Sequence, residues 1–228
     1  MMNYKLEGRS EYTLLTVSVP AGKKLFVEPS AMATMSPNMK MKALFKGGLG
    51  RFLTSESLFQ SEFVAEGMTG EVSIAPGPAG DIGHIHLNNE TVYLASSCYV
   101  AHTEGVNYET KFQNLSLGLL SGAGWFLIKM TGTGDFWFNG YGAIIEVEVG
   151  PDRPPLTLDN GHIVAFTEGV QYEVKRMGGY KSLFLSGEGF VCRFSGRGKV
   201  YYQTKKPSAL IHWADAFRPI KKKYSSQS

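Results

Sequence analysis

Thr103-Glu104-Gly105-Val106-Asn107-Tyr108-Glu109 recurs at an offset of 64 residues as Thr167-Glu168-Gly169-Val170-Gln171-Tyr172-Glu173. Two further matches keep nearly the same spacing. Ser121-Gly122-Ala123-Gly124, followed by Trp125-Phe126, returns as Ser186-Gly187-Glu188-Gly189 followed by Phe190-Val191, and Gly132-Thr133-Gly134 returns as Gly196-Arg197-Gly198. Three matches in register mark internal repetition, which governs the fold reading before any single motif does. A fainter first copy precedes them, with Ser55-Glu56-Ser57-Leu58-Phe59 ahead of Gly67-Met68-Thr69-Gly70. The expected organisation is one structural domain over 1–228, built of repeats at 1–80, 81–150 and 151–207, with a C-terminal helix and basic tail at 208–228. Pro76-Gly77-Pro78 and Pro151-Asp152-Arg153-Pro154-Pro155 mark the two boundaries.

Inside each repeat the residues alternate. Ala143-Ile144-Ile145-Glu146-Val147-Glu148-Val149 sets glutamates against aliphatics with period two, the pattern of a half-buried strand. Lys199-Val200-Tyr201-Tyr202-Gln203 has the β-branched and aromatic content that suits a pleated surface. Asn88-Asn89 and Asp159-Asn160-Gly161 supply turn chemistry, and both are expected to close tight hairpins. The fold class is therefore all-β. One helix is expected after Pro207-Ser208, where Leu210, Ile211, Trp213, Ala214 and Phe217 recur at helical spacing and Pro219 ends the run. Its aromatic face is expected to pack on the last sheet, with partner docking as the alternative.

Composition narrows the function classes. The net charge of +3 comes from a tail carrying Lys205, Lys206, Arg218 and Lys221 to Lys223 against Asp215, so the rest of the chain has a slight acidic excess. That is not the basic stripe of a nucleic-acid groove, and nucleic acid is not an expected partner. Cys98 and Cys192 lie in different parts of the repeat, in apolar runs, and are expected to be free thiols of a reducing compartment. No apolar run approaches the ~20 residues of a spanning helix. The charged start, Lys5 through Glu11, has no apolar stretch behind it, so a cytoplasmic protein without a signal or transit peptide is expected.

Gly80-Asp81-Ile82, Asp159-Asn160-Gly161-His162-Ile163-Val164-Ala165, Leu185-Ser186-Gly187-Glu188-Gly189-Phe190-Val191 and Tyr202-Gln203-Thr204-Lys205 together resemble the altered-inheritance-of-mitochondria family. The resemblance runs from Leu14 to Phe217. It implies a fold similar to the trp RNA-binding attenuation protein (TRAP-like) class, three short double-stranded β-helix repeats in tandem. It implies no established activity, no cofactor and no catalytic residue. RNA binding does not carry over, because no residue-level motif for it is matched, and fold alone is not function. Modules of this class form rings of about nine to eleven units, and closed rings manage open strand edges. Three chains of three repeats give nine, so a homotrimer is expected. The alternative is one chain closing its own three repeats.

Three constellations remain to be weighed. His84-Ile85-His86, with Glu90 close behind, matches the first half of a cupin metal motif, since strand positions i and i+2 share a face. His102 and His162 lack the context that would complete it, so a cupin-like metal enzyme using His84, His86 and Glu90 is only the alternative, and no metal or cofactor is expected. Ser186 has Phe184 where a nucleophile elbow needs glycine, and Ser121 and Ser55 share its place, which points to turns. The insertion at residues 35–53 interleaves Met35, Met39 and Met41 with Lys40, Lys42 and Lys46, beside Phe45, Arg51 and Phe52. It reads as an adaptable contact surface, as do Trp213 and Phe217. The leading expectation is a non-enzymatic scaffold or interaction protein with an unidentified protein partner. A peripheral adaptor making weak contact with anionic membrane through residues 35–53 and the basic tail is a further alternative.

Overall fold

A computed structural model describes residues 1–46, 58–112, 126–176 and 190–218. The chain is all-β, with strands β1 (Asn3–Glu7), β2 (Leu14–Val19), β3 (Lys24–Val27), β4 (Met32–Met35), β5 (Met39–Lys46), β6 (Leu58–Ala65) and β7 (Gly70–Ile74). There follow β8 (Gly80–Asn88), β9 (Val92–Ala95), β10 (Tyr99–Thr103), β11 (Val106–Phe112) and β12 (Phe126–Tyr141). The last group is β13 (Ile144–Val149), β14 (Leu156–Asp159), β15 (Ile163–Thr167), β16 (Val170–Arg176), β17 (Phe190–Gly196) and β18 (Gly198–Gln203), ahead of a helix α1 (Pro207–Asp215). No helix among the described residues is long and apolar enough to cross a membrane.

The pairings follow one scheme in three places, and all are antiparallel. In the first, β6 lies between β5 and β3, and β7 lies between β2 and β4. In the second, the first half of the long β12 pairs β11 and β9, and its second half pairs β8 and β10. In the third, β17 pairs β16 and β14, and β18 pairs β13 and β15. An irregularity recurs at the same point each time, between Met32 and Thr34, Tyr99 and Ala101, and Ile163 and Ala165.

The turns behave differently from the expected hairpins. Asn89 does adopt a positive φ of 59°, as a tight reversal requires. Yet β8 and β9 do not pair with each other; each pairs a different half of β12. The short 3₁₀ turn Asn160–His162 likewise joins β14 and β15, which pair β17 and β18. These turns are corners at which the chain changes sheets. The proline run at 151–155 is also not where the pairing scheme divides. It connects β13 to β14, and β13 pairs β18, so the recurring stretches are 14–74, 80–141 and 144–203.

The Thr-Glu-Gly and Gly-x-Gly matches now have a physical cause. The Thr103 hydroxyl accepts from the Asp135 amide at 3.0 Å, and the Thr167 hydroxyl accepts from the Lys199 amide at 2.9 Å. Gly134 (φ 152°) and Gly198 (φ 154°) sit against those hydroxyls, where a Cβ would collide with Thr103 or Thr167. A threonine on one strand therefore demands a glycine on the next.

The buried side chains form three clusters that overlap along the chain. The first, around Leu15, Val17 and Phe63, takes in Val100, Ala101 and Trp137 from the second stretch. The second, around Leu94, Phe136 and Phe138, takes in Val164, Ala165 and Tyr201 from the third. The third, around Phe166 and Phe194, contains no buried residue from the first stretch among the described residues.

Candidate functional site

His84 and His86 do reach a common point, but it is a carboxylate and not Glu90. On β8 they project toward β12, where His86 lies opposite Asp135. Both imidazoles meet Asp135 Oδ1, His84 through Nε2 at 3.0 Å and His86 through Nδ1 at 2.7 Å, while the Met2 amide donates to Oδ2 at 2.8 Å. The carboxylate accepts only, so each facing nitrogen must carry the proton, which leaves His84 Nδ1 to accept from the Tyr4 hydroxyl at 3.1 Å. Burial pushes His84 below its ordinary value, against the pull of Asp135. Burial acts to raise the Asp135 carboxyl, but hydrogen bonds from His86, the Met2 amide and His84 outweigh it and hold the group below the usual carboxylate range. Glu90 is exposed beyond the end of β8, and among the described residues no cluster of three or more His, Cys, Asp or Glu is arranged to hold a metal.

Chemically, this constellation fastens β1 to the second stretch. Tyr4 packs against His84 and edge-on to Trp137, and Arg9 forks onto Asp81 at 2.8 and 2.9 Å. Asp135 is the residue the sequence reading missed. It is 49 residues from His86, and only the β8–β12 register brings the two together.

A cavity of about 340 Å³ lies beside the second corner, lined in part by Ser97, Cys98, Asn139, Gly161, Gln203 and Lys206. Gln203 accepts from the Tyr141 amide and donates to the Gly161 carbonyl, both at 2.8 Å. Asn139 holds the same place in the second stretch and is one methylene shorter. It is 3% exposed, and its Oδ1 has no partner among the described residues. Both cysteines are free and buried, with their thiols pushed up to about 12 by burial.

The predicted contact surface divides. Met35 and Met41 are exposed, at 43% and 52%, and Lys40 and Lys42 lie beside them, Lys40 within 3.7 Å of Glu66. Met39, expected on the same surface, is buried at 3% at the start of β5, where its side chain lies against Gly70. Arg51, Phe52 and the side chains of Phe45 and Lys46 lie outside the described residues, as do Ser55, Ser121 and Ser186. Helix α1 does not pack its aromatic face on the last sheet. None of its residues is buried, and Leu210, Ile211, Trp213 and, just past its end, Phe217 stand out, the last two at 64% and 71% exposure. Its entry is tied down instead through Lys206, which pairs with Asp159 at the end of β14 at 3.0 Å.

Among the described residues, two strands lack a partner that their counterparts have. β3 pairs β10 across the first junction, and β9 pairs β15 across the second. β14 holds the place of β3 and β9, and β4 holds the place of β10 and β15. Among the described residues β14 pairs only β17, and β4 pairs only β7.

Comparisons with known proteins agree with this architecture. A family model described as mitochondrial biogenesis AIM24 matches residues 4–205. An uncharacterised protein of Streptococcus pyogenes serotype M6 is 23% identical over 215 residues, covering 89% of this chain and 86% of that protein. A crystal structure of a Streptococcus pyogenes protein superposes with a TM-score of 0.80 at 20% identity, over 96% of this chain and all of the other. That likeness establishes the fold.

Proposed function

We propose, from the premise that this chain belongs to the mitochondrial biogenesis AIM24 family, that it is a non-enzymatic scaffold that assembles with itself and presents a surface to a protein partner. One observation carries the reading. The three recurring stretches behave as repeated units, and among the described residues the pairing that joins them inside the chain is left open at β4 and at β14. An unpaired edge invites addition of a strand. A head-to-tail contact is safe only if it closes with cyclic symmetry, and three chains, giving nine units, is the closed form we favour. The assembled protein is cytoplasmic in this reading.

The His84–His86–Asp135 cluster supports a structural role in the same picture. Its carboxylate accepts from two imidazoles and the Met2 amide, which fastens the N-terminal strand to β8 and β12. Native mass spectrometry on untagged protein tests the proposal. For a chain of 25.0 kDa, a mass three times that value is expected, and a single-chain mass at micromolar concentration would sink it. A stoichiometric metal lost on His84→Ala with His86→Ala would favour the cupin-like alternative.

A further inference from the structure

The two internal junctions are built alike, residue for residue. In the first, Ala101, His102 and Thr103 lie opposite Val27, Phe26 and Leu25. In the second, Ala165, Phe166 and Thr167 lie opposite Leu94, Tyr93 and Val92. The middle pair is a ring stack in both: Phe26 on His102, with centroids 5.0 Å apart, and Tyr93 on Phe166, at 5.2 Å.

The recurring irregularity anchors β4 to this scheme, because Thr34 follows it as Ala101 and Ala165 do. Within their own stretches Val27, Leu94 and Leu158 lie opposite Ser61, Ile128 and Cys192, which anchors β14. The register at the open ends is therefore determined. We infer that β14 of one copy adds antiparallel to β4 of the next, with Leu158 opposite Thr34, Thr157 opposite Met35 and Leu156 opposite Ser36. This inference rests on the self-assembly reading above and names its contact.

The backbone is prepared for it. At the first junction the Glu28 amide donates to the Val100 carbonyl at 2.8 Å. In an antiparallel ladder every second residue turns the same way, so Phe26 also faces β10. Its counterpart Thr157 turns its N–H outward from β14, away from β17. Thr157 and Met35 are both exposed in the single chain, at the position that is stacked at each internal junction. The other outer strands do not offer this argument. Among the described residues β5, β11 and β16 have no partner on their far sides in any of the three stretches, so no counterpart shows a missing partner. Helix α1 enters beside Asp159 through Lys206, which places its exposed apolar residues at one end of the open edge.

The test is a crosslink. The Met35→Cys, Thr157→Cys double variant is treated with a short thiol–thiol crosslinker, and Cys98 and Cys192 stay silent because both are buried. Covalent species of two and three chains are expected, formed roughly tenfold or more faster than in a Met68→Cys, Thr157→Cys control, because strand pairing holds the thiols at high effective concentration. Each single variant should give no such ladder, and mixing the two should give only a two-chain species. Equal crosslinking of the control, or no crosslink while native mass stays at three chains, would overturn the β14–β4 contact and leave self-assembly standing. A single-chain native mass with no crosslink would overturn both.

Discussion

At the second junction Tyr93 and Phe166 stack, and Phe166 also touches Tyr172 and Phe194. At the open edges the corresponding residues are Thr157 and Met35, one a small hydroxyl and the other a flexible thioether. The same backbone arrangement thus carries two kinds of side chain. A junction formed once, during folding, holds large rings locked in a core. An edge that meets another chain only after folding, as proposed above, needs side chains that cost little to expose. Each edge is also short, four residues in β4 and four in β14, which limits uncontrolled pairing.

The largest effect should fall on the closed junction. Phe166→Ala removes a ring that is 2% exposed and should destabilise the fold by about 3–5 kcal/mol, read as a lower urea midpoint. If it shifts only the oligomer mass and leaves the midpoint unchanged, the two regions do not differ as described. Next is Thr157→Pro, which deletes an outward N–H without touching the β14–β17 ladder. Loss of that bond and the ring's bulk at a paired edge should cost roughly 3 kcal/mol of association, about a hundredfold in affinity by analytical ultracentrifugation. The urea midpoint of the released single chain should stay nearly unchanged.

A third probe uses charge. Glu28 stands at the closed junction, where burial pushes its carboxyl up to about 7 from 4.5 and its Oε1 has no hydrogen-bond partner among the described residues. Its counterpart at the open edge, Asp159, accepts from the Gly161 amide and pairs with Lys206. The folded-state value of Glu28 lies above its unfolded value, so the fold retains the proton more strongly. That stabilisation is complete below about pH 4.5 and is lost as pH rises through about 7. Glu28→Gln should therefore gain roughly 1–2 kcal/mol over the native chain at about pH 8, a figure reduced from full linkage by partial solvation, and gain little at about pH 4. Urea midpoints at the two pH values check this; a gain that is equal at both would exclude the carboxyl as its source. The smallest effect is a repair. Met35→Phe with Thr157→Tyr copies the internal stack onto the edge and should tighten assembly by about 0.5–1.5 kcal/mol, visible as a lower dissociation concentration in light scattering.

The two scales of interaction explain what could be read in advance. Strand alternation and the Thr-Glu-Gly and Gly-x-Gly matches are legible because their causes are local in pattern: a side chain alternates faces every residue, and one hydroxyl needs one glycine. The corner at Asn89 was legible as a turn but not as a change of sheet, since a positive φ reverses the chain without saying which strand accepts it. Composition groups Met39 with Met35 and Met41, but Met39 packs against Gly70 of β7, a neighbour that composition does not reveal.

The sequence by itself determined an all-β chain with recurring elements, the family it resembles, two buried thiols and a helix beginning at Pro207. Only the tertiary structure decided that His84 and His86 converge on Asp135, that α1 keeps its apolar residues in the open, and that β4 and β14 stand, among the described residues, without the partners their counterparts have. Those outcomes depend on register between strands far apart in the chain. A shift of one residue in such a ladder sends every side chain to the opposite face, and no property of a strand's own residues fixes which strand will lie beside it.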